Sequence, residues 1–163
     1  MPFRLLLIAL LAFSAFSATR AQFTDDFTDL EFTNGPAWSG STTLFTAAAG
    51  QLNSQSPGAA NYYLSTPSTL VNDVQWEFFV DLRFSTSGAN YADIYLMSDM
   101  ADLTAGVNGY LLRVGGTADR LELFSSEAGG AFTTGLQSPD GVVNSSSSNP
   151  FRIKVTRSAA GEW

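Results

Sequence analysis

The stretch Val74 to Phe84, VQWEFFVDLRF, places an apolar residue at every second position: Val74, Trp76, Phe78, Val80, Leu82 and Phe84. Gln75, Glu77, Phe79, Asp81 and Arg83 lie between them. Successive side chains of a strand point to opposite faces, so the pattern lays these six apolar groups on one side of a sheet. A helix would scatter the same groups around its circumference. The stretch therefore reads as a long strand through the middle of a sheet, with Trp76 and its alternating companions packed on a second layer.

From Phe23 onward the rest of the chain consists of short extended segments separated by Gly, Pro, Asn and Ser, without a helical period. Phe23 to Phe27 reads as an edge strand, and Asn34-Gly35-Pro36 as a turn before Trp38. Leu44 to Ala47 and Gln51 to Ser54 flank Ala48-Ala49-Gly50 as a hairpin, and Asn61 to Thr66 is a strand stopped by Pro67. Ala92, Ile94 and Leu96 alternate with Tyr91, Asp93, Tyr95 and Met97. After a loop over residues 99–109, Tyr110, Leu112 and Val114 alternate with Leu111 and Arg113, and Leu121 and Leu123 alternate with Arg120, Glu122 and Phe124. Ala131 to Leu136 is a weaker strand, Ser145 to Ser148 an exposed polar loop, and Phe151, Ile153 and Val155 close the series. Many short strands between turn signals predict an all-β fold, an antiparallel two-sheet sandwich or jelly roll, over residues 22–163. A large aromatic after a turn normally opens a strand. Trp163 after Ser158 to Gly161 therefore leads us to expect an incomplete C-terminal end, at least one further strand and an exposed apolar edge.

Met1 to Ala21 has an early Arg4, an apolar run from Leu5 to Phe13 and a small-residue exit before Gln22, the three parts of a secretory signal peptide. The run is shorter than the roughly 20 residues a bilayer requires, so no membrane insertion is expected. Removing it lowers Lys+Arg from 8 to 6 and leaves Asp+Glu at 15, so the net charge moves from −7 to −9. So acidic a secreted or surface-attached domain, without clustered Lys and Arg, is not a nucleic-acid binder. The absence of cysteine excludes a disulfide framework and thiolate chemistry, and the absence of histidine removes the commonest general base and metal ligand.

Carboxylates are what remains for catalysis. Glu77 and Asp81 share a face but sit about 13 Å apart at 3.3 Å per residue, too far for glycoside hydrolysis. Glu77 with a cross-strand Asp93 is the alternative pair; ordinary cross-strand pairing of these acids with Arg83, Arg113 and Arg120 is the simpler reading, and no enzyme is expected. No cofactor is expected. Calcium is the metal that the ligand types suit, through Asp25, Asp26, Asp29 and the Asp99 to Asp102 loop, although none has the spacing of a defined calcium loop. Asn144-Ser145-Ser146 matches a glycosylation acceptor. The strongest candidate is a binding face: Phe79, Tyr91, Tyr95 and Phe124 project opposite the core faces of their strands, near Glu77, Asp93 and Arg113. Aromatic plates beside charged hydrogen-bonding groups suit a sugar ring, whose CH faces stack while its hydroxyls pair.

The ordered blocks WEFFVDLRF, NYADIYLMSD, DLTAGVNGYLLRVGG, RLELF and FRIKVTRSAAGEW resemble a concanavalin A-like (laminin-G-like) jelly-roll domain, of the kind near the N-terminus of large secreted bacterial proteins that also carry lamin-tail domains. The resemblance spans Phe23 to Trp163. It implies two facing antiparallel sheets and further domains of the same polypeptide. The partner it implies is an extracellular glycan or cell-surface component. Glycosidases of this fold carry an acid-x-acid-x-x-acid strand; here Glu77 is followed by Phe78-Phe79, and the pattern is missing.

Overall fold

The computed structural model describes residues 22–163, so the signal-peptide expectation for 1–21 lies outside the described residues. Its strands are β1 Ser39–Gly40, β2 Phe45–Ala48, β3 Gln51–Ser54, β4 Leu64–Ser65, β5 Val74–Asp81, β6 Tyr91–Ser98, β7 Gly109–Gly115, β8 Arg120–Glu127, β9 Ala131–Gln137 and β10 Pro150–Arg157. Every strand pairing is antiparallel, and among the described residues there is a single 3-10 turn at Thr42–Leu44 and no α-helix.

The alternating stretch forms β5 and pairs along its whole length with β10. The register sets Trp76 across from Val155, Phe78 from Ile153 and Val80 from Phe151, while Glu77 faces Lys154 and Phe79 faces Arg152. Two strands alternating in phase thus turn one apolar face inward and one polar face outward. The inner face covers a four-stranded sheet of order β6-β7-β8-β9. Leu82, Leu112, Val114 and Val143 form the buried centre between the layers, surrounded by Phe78, Val80, Ile94, Leu121, Phe151 and Ile153.

The turn that leads into β10 is tied to the end of β5 by side chains. Asn149 is 4% exposed; its Nδ2 donates to the Leu82 and Ser145 carbonyls at 2.9 and 2.8 Å, and its Oδ1 accepts from the Ser145 amide. Asp81 accepts from the Asn149 amide at 2.9 Å and from Ser148 Oγ at 3.0 Å. These bonds satisfy polar groups that the turn between Ser145 and Asn149 would otherwise bury unpaired.

Three expectations are corrected. β5 does not run through the middle of a sheet: its one strand partner among the described residues is β10. Alternation reports which way side chains face and carries no information on how many neighbours a strand has. Trp163 lies between the layers, stacked on Trp76 at a centroid distance of 5.6 Å and 4.9 Å from Tyr110. The strand expected over Asn61 to Thr66 shortens to Leu64–Ser65, and the edge strand expected over Phe23 to Phe27 does not form. The hairpin at residues 45–54 forms as expected, with Ala49 and Gly50 at φ of 52° and 69°, the left-handed values of a two-residue type I′ turn. Residues 22–70 contain no buried side chain, and all nine core hydrophobics come from Leu82 to Val143.

Truncation should separate the two classes of leucine. Leu112→Ala, at the buried centre, is expected to cost about 2–5 kcal/mol, and Leu136→Ala, 61% exposed, about 0.5 kcal/mol. Urea unfolding monitored by tryptophan fluorescence checks this, and equal losses would show that the layers do not meet at Leu112.

Candidate binding face on the four-stranded sheet

The face of the β6–β9 sheet turned away from the core is built by register. β7 pairs with β6 on one side and β8 on the other, which aligns three rows across three strands. Tyr91, Gly115 and Arg120 form the first row, Asp93, Arg113 and Glu122 the second, and Tyr95, Leu111 and Phe124 the third. Five of the seven residues singled out from the sequence, Tyr91, Asp93, Tyr95, Arg113 and Phe124, therefore share one face.

Arg113 is the hub. Its Nε and Nη2 donate to the two Asp93 carboxylate oxygens at 2.7 and 2.8 Å, a bidentate pair with both side chains less than one-fifth exposed. The guanidinium plane lies 3.9 Å from the Tyr91 ring centroid, and 5.2 and 5.1 Å from those of Phe124 and Phe132. The hydrogen bonds from Arg113 to Asp93 hold its pKa above the usual arginine value, against the opposing effect of burial. Tyr95 is pushed up, first by burial and then by the Asp93 charge.

In the first row Gly115 contributes no side chain between Tyr91 and Arg120. Its φ of +99° and the Thr86 methyl 2.5 Å from where a Cβ would stand keep the position glycine. Beside this row lies a polar pocket of about 220 Å³, lined by Tyr91, Arg113, Gly115, Gly116, Arg120 and Glu122. Arg120 spans Glu122, at 2.9 Å through both Nε and Nη2, and Asp140 at 3.1 Å. Burial pushes the Glu122 carboxyl up, but Arg120, the Thr134 hydroxyl at 2.7 Å and the Arg113 charge outweigh it and leave its pKa below the ordinary value.

The remaining sequence candidates lie elsewhere. Glu77 and Phe79 are on the outer face of the β5–β10 pair, in the other layer, where Glu77 meets Lys154 at 3.6 Å and Phe79 lies beneath Arg152. Glu77 and Asp93 are thus on different sheets and do not flank a common site, which corrects the cross-strand pairing considered for them. Phe124 is buried at 9% exposure, because Phe132 of β9 packs on it with centroids 5.6 Å apart. The carboxylates considered for calcium cap their own turns: Asp26 takes the Thr28 amide and hydroxyl, Asp29 the Glu31 amide, Asp102 the Thr104 amide and hydroxyl, and Asp99 the Asn108 amide and side chain. Asp25 accepts from Trp38 Nε1 and the Phe27 amide, and among the described residues no three acidic groups converge as a metal site would require. Asn144 is exposed. Sequence reasoning missed Arg120, Glu122, Gly115 and Phe132. The alternation of Arg120 and Glu122 with Leu121 and Leu123 put them on the Phe124 face, but which strands neighbour β8 was unreadable.

No protein-family model, curated protein or solved structure matches this chain. What can be said of its role therefore rests on the residue blocks and on this face.

The lowered carboxyl of Glu122 ties stability to pH. Its unfolded counterpart titrates near about 4.3 and takes up a proton first as pH falls, so its contribution is full above that value and is lost as pH drops through the folded pKa. Asp81, lowered first by the hydrogen bond from Arg83, acts in the same direction, so only a comparison of variant with parent isolates Glu122. Glu122→Gln is expected to cost about 1–2 kcal/mol at pH 7 and to lose less than the parent between pH 6 and pH 3. Thermal melts by circular dichroism check this; parallel pH profiles would refute the coupling.

Proposed function

We propose that this chain is an extracellular carbohydrate- or surface-binding module of adhesion type with a concanavalin A-like jelly-roll fold, belonging to a larger secreted polypeptide and binding through the outer face of the β6–β9 sheet. The observation that carries this reading is the polar pocket lined by the Tyr91 ring, Arg113 and the Arg120–Glu122 pair.

Three features support a sugar. Tyr91 is 38% exposed, so part of a rigid aromatic plate faces solvent beside the pocket. Arg113, Asp93, Arg120 and Glu122 are planar hydrogen-bonding groups already locked by one another, so little rotamer freedom is lost when a hydroxyl pairs with them. Across the face, Arg113 and Arg120 oppose Asp93, Glu122 and Asp140, a sum of −1, which favours an uncharged, hydroxyl-rich ligand over an anionic one. At about 220 Å³ the pocket is smaller than the roughly 300–1,000 Å³ of drug-sized sites, a size suited to one terminal sugar of a longer chain. Binding is preferred to hydrolysis because Glu77 and Asp93 lie on different sheets.

A second reading, a structural spacer without ligand, is favoured by one observation: the slot beside Arg113 is already filled by Tyr91, Phe124 and Phe132. A glycan array separates the two. The binding reading expects selective retention of neutral glycans and a loss of about 2 kcal/mol, roughly 30-fold in Kd, on Tyr91→Ala. Tyr95→Ala, one row beyond Arg113, should weaken binding less. An array on which the parent protein retains nothing, or retention unchanged by Tyr91→Ala, returns the face to a structural role.

A further inference from the structure

We propose that the free edge of β10 is a strand-acceptor site for a partner polypeptide, specifically for an extended segment that alternates apolar and acidic residues. β10 pairs with β5 on one side; among the described residues no strand pairs with its other side. Such an edge presents a row of backbone donors and acceptors to any extended chain laid about 4.8 Å away.

The cleft beneath this edge defines half of the partner's chemistry. The two-stranded layer is narrower than the four-stranded one, and an apolar cleft of about 370 Å³ remains between Ile153 and Val155 of β10 and Leu121, Leu123 and Leu136 of β8 and β9. Trp163, stacked on Trp76, closes one end. Every second residue of an added strand would enter this cleft and cover Leu136, now 61% exposed.

Charge defines the other half. Without Arg4 and Arg20, six of the eight Lys and Arg remain, and β10 carries three of them, Arg152, Lys154 and Arg157, with no acidic residue. Arg152 and Lys154 point outward, level with the outward residues of an added strand. Arg152 is in no ion pair among the described residues, and Lys154 reaches only the exposed Glu77, at 3.6 Å. A second copy of β10 would oppose basic residues to basic residues, which disfavours self-pairing, whereas carboxylates at those positions are complementary. Of the other free edges of these two sheets, β9 carries no charge and is interrupted by Gly135, while β5 and β6 carry acidic residues and no basic one, so none offers carboxylates a complementary ladder.

The test uses the purified protein and three eight-residue dye-labelled peptides: alternating valine and glutamate, alternating valine and lysine, and alternating serine and glutamate. Fluorescence anisotropy is expected to show saturable binding of the valine–glutamate peptide alone. Amide hydrogen exchange should slow across 150–157 and stay unchanged across 131–137. The double reversal Arg152→Glu and Lys154→Glu should weaken that peptide by at least about tenfold and admit the valine–lysine peptide. Equal binding of all three peptides, or none, or protection outside β10, overturns the proposal. Self-association of the protein that excludes the peptide, seen by sedimentation, would also overturn it and assign the edge to a second copy.

Discussion

In the β5–β10 pair, Phe78 stands across from Ile153 and Trp76 across from Val155, so two distant segments turn their apolar side chains toward the same opposing layer. The side-chain period of a strand is two, and a slip of one residue would send Lys154 and Arg152 inward while exposing the whole apolar set. The cost of burying two unpaired cations makes this register strongly specified. It also determines where chemistry can occur. By committing Trp76, Phe78 and Val80 to the interior, it places Glu77 and Phe79 on the outside of one layer. Asp93 and Arg113 are left on the outside of the other.

This explains what was legible in the sequence and what was not. Alternation read correctly which side chains of β5, β7, β8 and β10 turn toward the opposing layer, because facing is a local property of the backbone; in β6 it held up to Tyr95, where a register shift sets Met97 across from Tyr110. It did not reveal neighbours. Glu77 and Asp93 looked like partners since their strands follow one another in the chain, yet β5 pairs with β10, some seventy residues on. Phe124 looked like an exposed plate since it lies opposite Leu123, yet β9 brings Phe132 over it. Trp163, which the sequence tied to no partner, packs against both Trp76 and Tyr110. Each miss concerns a contact between different segments, set by how the strands pair. The candidate face shows the same division: five of seven residues were assigned to a common face by local phase, while Gly115, Arg120 and Glu122 became visible only once β7 was aligned with both neighbours.

The two layers differ in width, and the difference distributes stability unevenly. β7 has a strand on each side and supplies Leu111, Leu112 and Val114, each at most 7% exposed. β9 has one neighbour, no layer above it, and all seven residues exposed. Opening should therefore begin at β9 and reach β7 last, since local stability follows buried apolar contact. The candidate pocket belongs mostly to the well-supported part: Tyr91, Arg113, Gly115 and Glu122 sit on β6, β7 and β8. Phe132, by contrast, comes from the least supported strand, so its cover over Phe124 and Arg113 is the least firmly held part of the face.

That pair has two consequences that pull in opposite directions. Taking a guanidinium and a carboxylate partly out of water is costly, and a bidentate geometry with an aromatic ring 3.9 Å away offsets much of the cost only while all three groups stay in place. An apolar pair of similar volume would stabilise the sheet as well or better. What an apolar pair would not supply is a fixed plane of hydrogen-bonding groups next to an exposed ring. With Asp93 holding Arg113, and Arg120 holding Glu122, four planar polar groups are oriented before any ligand arrives. The conformational cost of binding is then met during folding, which is the condition under which a shallow, partly solvated pocket retains a hydroxyl-bearing ligand.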